Sequence, residues 1–197
     1  MTTRRSFITS TSLLSAGFLL APKDFTLKSS LIGVQLYTVR DAMQKDPADT
    51  LAKVAKIGYN SVEGATYTGT QKFYGMDPSD FSKLLKDTGL VMPSGHYRLG
   101  EEKPKGEIMK GTILHDWDKA VDDAATVGLK YMVCAYLSAD ERGDINHYKY
   151  VADQLNIAGE RCREGGIQLC YHNHDFEFIK QVINTRMTFY LEQIKIW

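Results

Sequence analysis

The sequence predicts an α/β fold on a parallel sheet, a closed eight-unit barrel of which about five units are present. Three observations carry this. First, short apolar runs alternate with helix-period segments from residue 31 to residue 173. Strand–helix–strand order at that spacing needs crossovers, and crossovers join parallel neighbours. Second, glycine ends each of the first three helical segments. Third, polar residues gather where each strand ends: Gln35 and Tyr37, Glu63, His96, Tyr136, then His172 and His174. An open doubly wound sheet is the competing architecture. No G-x-G-x-x-G follows the first strand, which weakens its dinucleotide-binding form. A barrel brings all the C-terminal strand ends to one face, where catalytic residues sit, and the barrel is the preferred reading.

The elements follow in order. "LIGVQLYTV", 31–39, is a short apolar run without helical spacing. "DPADTLAKVAKIG" has Asp46 as cap, Pro47 at the first helical position, Leu51, Val54, Ala55 and Ile57 on one face, and Gly58 as stop. "YNSVEGA" is strand two. "DPSDFSKLLKDTG" repeats the helix grammar with Asp77, Pro78 and Gly89. "LVMPSGH" is strand three. The longest connection, "YRLGEEKPKGEIMKGTI", has the length of a lid or binding loop; a surface insertion fits it too. "HDWDKAVDDAATVG" is helix three, with Trp117, Ala120, Val121 and Ala124 inward. "LKYMVCAY" is strand four, Asn146 to Glu164 a long helix, and "IQLCYHN" strand five.

Composition narrows the function. The 197 residues suffice for one domain with a real core. The 24 basic and 24 acidic side chains cancel, and no basic stripe or basic–aromatic cluster marks a nucleic-acid partner. No apolar run reaches the ~18 residues that span a bilayer. Cys134, Cys162 and Cys170 form no C-x-x-C and are an odd number, so they are expected as small buried hydrophobes. Residues 1–25 are set apart as an export signal. Arg4-Arg5-Ser6-Phe7 and the weakly apolar Ser/Thr-rich segment to Leu20 have the twin-arginine form, which predicts a periplasmic protein.

The chemistry is expected at the strand ends. By strand parity His172 and His174 share a face with Cys170. An imidazole at a barrel mouth binds a divalent metal, polarises a carbonyl or moves a proton. Asp175 and Glu177 follow the pair at once, which favours function over a structural histidine. Glu63 ends an apolar strand, where a carboxylate needs a partner or a ligand; a surface Glu paired with a lysine satisfies that pattern equally. His96 in "PSGHY" is similar. His115 and His147 are expected to be solvated or capping.

"IGVQLYTVRD", "GYNSVEGA", "SGHY" and "GIQLCYHNHDFEF", in this order, resemble the sugar phosphate isomerase/epimerase group of xylose isomerase-like TIM barrels, and its exported branch with twin-arginine signals. The resemblance covers about residues 31–179. It implies a (β/α)8 TIM barrel of xylose isomerase-like type with one divalent metal, manganese, cobalt, zinc or magnesium, at the mouth. It also implies proton abstraction next to the carbonyl of a small-molecule sugar or sugar derivative. Some exported relatives are thought to eliminate the group at C1 of 3-keto sugars, which begins with the same step. Residue by residue, the resemblance implies His172 as metal ligand and catalytic group, where many relatives have a glutamate. It places Glu63 and His96 at positions lining the sugar pocket and His174 and Glu177 at the substrate-facing end of the His172 motif. With the strand-end reading, Glu63 is expected to be catalytic beside His172, and Gln35, Tyr37, His96, His174 and Glu177 to bind the sugar.

The family's remaining ligands come from strands six to eight, which the sequence does not show. After Ile179 the alternation stops, and 180–197 is set apart as an aberrant tail. One set of permitted codons for Gln181 to Phe189, read from the third base of the first codon, gives Gly-Asp-Lys-Tyr-Pro-Tyr-Asp-Ile. Relatives typically carry Tyr-Asp-x-Leu soon after the H-N-H-D-F-E-F motif, so a frame shift near Lys180 is the hypothesis. On that reading the chain is expected to be inactive, or a non-catalytic sugar-binding fragment.

Overall fold

The computed structural model describes residues 31–177 except 101, 104 and 105. The segment expected to direct export, residues 1–25, and the tail expected to be aberrant, 180–197, lie outside the described residues.

Five strands form one parallel sheet in the order β1 (Gly33–Gln35), β2 (Ser61–Gly64), β3 (Val91–Tyr97), β6 (Tyr131–Cys134) and β7 (Gln168–Tyr171). A small antiparallel hairpin, β4 (Glu102–Lys103) with β5 (Glu107–Ile108), lies inside the long connection after β3. The helices are α1 (Arg40–Lys45), α2 (Pro47–Ile57), α3 (Pro78–Thr88), α4 (Trp117–Val127) and α5 (Ile145–Glu164). This is the strand–helix alternation of a TIM barrel, present here as five parallel strands.

Local chemistry sets the boundaries. Asp46 caps α2 by accepting from the Asp49 amide at 2.9 Å, and Gly58 ends it at φ +116°. Asp144 caps α5 by accepting from the amides of Asn146 and His147, both at 3.0 Å. Asp77 precedes α3 as expected but makes no side-chain cap bond; its carboxylate pairs with Lys72.

Two expectations need correction. The first strand is only three residues long, because the Gln35 side chain accepts from the Tyr37 amide at 2.6 Å and turns the chain into a 3-10 segment, Leu36–Val39. Helix α1 follows, over residues unassigned from sequence. The connection from Ala65 to Met76, unassigned from sequence, places Tyr67 and Phe73 in the core.

The two faces of the sheet differ. Val62, Met132, Cys134 and Leu169 are buried, and so are Leu51, Val54, Phe81, Leu85, Ala120, Val121, Ala124, Val151, Leu155 and Ala158 of the helices. On the opposite face the register pairs Gln35 with Glu63, Glu63 with Ser94, His96 with Val133, and Val133 with Cys170. All six are half-buried. In-register neighbours share a face, so the polar set projects together on the side that faces a barrel's interior. Cys134 and Cys162 are fully buried, and burial pushes both thiols up to about 12.

Candidate active site

The strand ends enclose a cavity of about 540 Å³ lined by Gln35, Tyr37, Glu63, Ala65, Thr66, Tyr67, His96, Tyr97, Arg98, Ala135, Tyr136, His172 and His174. Six of the seven residues expected at the site, all but Glu177, are on its wall.

Glu63 is on its wall. Its Oε1 accepts from Ser94 Oγ at 2.8 Å, and its Oε2 lies 3.4 Å from His96 Nε2. The His96 hydrogen bond, more than any other cause, holds the Glu63 carboxyl below its ordinary value. Burial opposes it, and the Ser94 bond and the nearby His96 and His172 imidazoles add to it. His96 Nδ1 is 3.3 Å from Gln35 Nε2.

The imidazoles continue from there. His96 meets His172 edge-on at 5.6 Å between ring centroids, and His172 stacks on His174 at 4.7 Å with 16° between planes. Partial burial, followed by the fields of His174 and His96, lowers the His172 pKa, while Glu63 and Glu177 oppose that. His172 is therefore a neutral imidazole near pH 7.

The stack runs on. His174 lies flat on Phe176 at 5.6 Å and 6°, and the Arg142 guanidinium covers Phe176 at 3.7 Å from the centroid. Arg142 is itself fixed by the Leu137 carbonyl at 2.7 Å and by the Tyr136 hydroxyl. Tyr136 meets His174 edge-on at 5.1 Å.

Glu177 corrects an expectation. It is 2% exposed and does not line the cavity. Its carboxylate accepts from the Tyr171 hydroxyl and, at 2.7 Å, from the His174 amide. Buried carboxylates need such donors, so Glu177 closes the turn that presents His172 and His174.

Ser94, Tyr67 and Arg98 also belong to the site, although the sequence did not single them out. Parity with His96 was a usable signal for Ser94; nothing local marked Tyr67, whose segment has no periodicity.

A divalent metal, implied by the resemblance, can be tested on the donors present. Among the described residues no group of three His, Cys, Asp or Glu side chains is arranged to hold a metal ion. Parallel stacked rings such as His172 and His174 direct their in-plane lone pairs side by side, not to a shared point. The described donors do not fit a complete cation site.

A family model described as xylose isomerase-like TIM barrel matches residues 51–191. Two solved structures of sugar phosphate isomerase/epimerase proteins from Parabacteroides distasonis ATCC 8503 are similar. One has 25% identity and a TM-score of 0.70 and covers 83% of this chain and 65% of its own. The other has 24% identity and a TM-score of 0.69 and covers 86% and 64%. An IOLI protein with a binding zinc atom shares the fold at 14% identity and a TM-score of 0.50, over 72% of this chain and 51% of its own. Nothing among curated proteins matches. This chain thus spans less than two thirds of the length of these solved structures, and it belongs to the xylose isomerase-like TIM barrel family.

Proposed function

We propose that the site moves a proton next to the carbonyl of a sugar or sugar derivative, as an isomerase or epimerase does. The carrying observation is Glu63, a carboxylate kept ionised by Ser94 and His96 at the wall of a cavity shared with His172, His174 and Arg98. The name of the 25%-identical relative supports the same class.

The residues divide the work. Glu63 accepts the proton on the carbon beside the carbonyl. The electron pair moves onto the carbonyl oxygen and forms an enediolate. His172, His174 and Arg98 line the same cavity, where hydrogen-bond donors and positive charge stabilise that oxygen. In isomerisation Glu63 returns the proton to the former carbonyl carbon while the hydroxyl proton of the adjoining carbon passes to that carbonyl's oxygen, so the carbonyl moves one carbon along; epimerisation needs delivery to the opposite face of the same carbon. Tyr37 and Tyr136 line the same cavity and bring aromatic surface to the sugar.

A divalent ion of the manganese, cobalt, zinc or magnesium kind would polarise the carbonyl. Its site needs donors beyond those described, and no step here passes through it. That same observation favours a second reading, sugar binding without turnover. Elimination from a 3-keto glycoside shares the first step. Export through residues 1–25 belongs to the proposal, and sequencing the mature N-terminus from a periplasmic fraction tests it.

The experiment is solvent exchange. The full chain is incubated in D2O with ketoses and aldoses, with and without added Mn2+, and the C–H beside the carbonyl is followed by NMR. Exchange that Glu63→Gln abolishes is expected. Saturable sugar binding with no exchange in either condition establishes the second reading.

A further inference from the structure

We propose that Gln35 is a positioning residue: it fixes the proton of His96 on Nε2, so that this N–H is aimed at the Glu63 carboxylate.

One hydrogen-bonding role beside Gln35 cannot change. The backbone N–H of Tyr37 is a donor, and a Gln35 amide atom lies 2.6 Å from it. That atom must be an acceptor, so it is the amide oxygen. The other end of the amide is then the NH2 group, a donor only, and it faces His96 Nδ1 at 3.3 Å. Two donors cannot share a contact, so Nδ1 carries the lone pair. In a neutral imidazole the proton is then on Nε2. Glu63 Oε2 lies 3.4 Å from that nitrogen, while the Ser94 hydroxyl holds Oε1 at 2.8 Å.

The polarity of the whole row follows from one backbone amide. With the opposite tautomer, the His96 ring would turn a lone pair toward a carboxylate, and Glu63 would lose one of its two donors. Gln35 lines the cavity, yet both ends of its amide are engaged. Instead of the sugar ligand expected from the sequence, Gln35 thereby acts through His96. The catalytic meaning rests on Glu63 as the proton acceptor; the tautomer itself does not.

The test is therefore made without sugar, on the full chain, at a pH high enough that the ring-nitrogen shifts show a neutral His96 ring. Long-range proton–nitrogen NMR identifies which ring nitrogen of His96 is protonated. The wild-type protein is expected to show Nε2–H. Gln35→Glu keeps an acceptor for the Tyr37 amide but replaces the NH2 donor by a second acceptor. The protonated nitrogen is then expected to switch to Nδ1, with the two ring-nitrogen resonances exchanging character. A wild-type Nδ1–H form overturns the proposal, whether or not the variant folds. So does a folded Q35E protein whose His96 remains Nε2–H. Loss of sugar exchange with the tautomers as expected would instead count against the proton-transfer function alone.

Discussion

The Tyr67 hydroxyl donates to Asp123 Oδ2 over 2.8 Å, across 56 residues of sequence, and so ties a wall of the cavity to helix α4. Asp123 is 3% exposed and also receives the Lys119 ammonium. Burial, then the Asp123 bond, raises the Tyr67 pKa well above its ordinary value, so the hydroxyl stays protonated as the donor.

Breaking this tie leaves a buried polar group short of a partner. Tyr67→Phe is expected to destabilise the fold by about 1–3 kcal/mol. Asp123→Ala is expected to cost at least as much, since it strands the Tyr67 hydroxyl beside that of Tyr97, which already has no partner among the described residues. Urea unfolding of both variants and the double variant measures it. The pair should show coupling, because each single change removes the same bond.

Glu63→Gln preserves shape and keeps an acceptor for Ser94. Its new NH2 donor faces the His96 Nε2–H, so a modest loss of stability, about 1 kcal/mol, is expected, while sugar-dependent proton exchange should fall by about 10²–10⁴-fold, the usual contribution of a positioned base. A fall in stability without loss of exchange would make Glu63 a structural carboxylate.

Acid should weaken the fold in two windows of the same sign. The His172 pKa is lowered from 6.5 and that of Glu63 from 4.5. For each group the unfolded chain takes up its proton first as pH falls. Each contribution is therefore full above the ordinary value and is lost as pH falls through the folded one. His172→Gln should remove the loss that begins below 6.5 and leave the one that begins below 4.5, read from thermal midpoints against pH.

Much of the frame was legible in the sequence because its signals are local. Asp46, Pro47 and Gly58 bound a helix by chemistry spanning a dozen residues, the strands β2, β6 and β7 occur within the predicted apolar runs, and β3 extends one residue past its run, to Tyr97. Glu63, His96 and His172 meet on one wall because parallel strands align their C-terminal ends. What stayed hidden depends on tertiary partners. Glu177 looked like a ligand because its chemistry fits a sugar, but its role is set by Tyr171 and the His174 amide. The 3-10 turn after Gln35 depends on one side-chain bond that an apolar run does not announce.

The stack His172–His174–Phe176–Arg142 offers a test of whether its far end orders its near end. Arg142 acts on it through Phe176 and Tyr136. Lysine keeps the charge but not the planar face that lies on Phe176. Arg142→Lys is expected to lose about 0.5–2 kcal/mol of local stability. Amide exchange at 172–177 should accelerate while the core amides of α3 do not change.

A close backbone approach provides a sharper structural test. Gly111 has φ +76°, and a Cβ there would stand 2.4 Å from the Gly69 amide nitrogen, whose N–H bonds the Lys110 carbonyl at 2.7 Å. Two effects add. A side chain in the left-handed region costs about 1–2 kcal/mol, and the Cβ must push the Gly69 strap away from its bond. Gly58 separates them, since it has φ +116° with nothing near its would-be Cβ. Gly58→Ala should show the conformational cost alone. Gly111→Ala should cost more and also loosen Tyr67, which shares that strap and lines the cavity. Equal losses in the two variants, measured by urea unfolding, would mean that the strap yields without resistance and does not hold the Tyr67 wall in place.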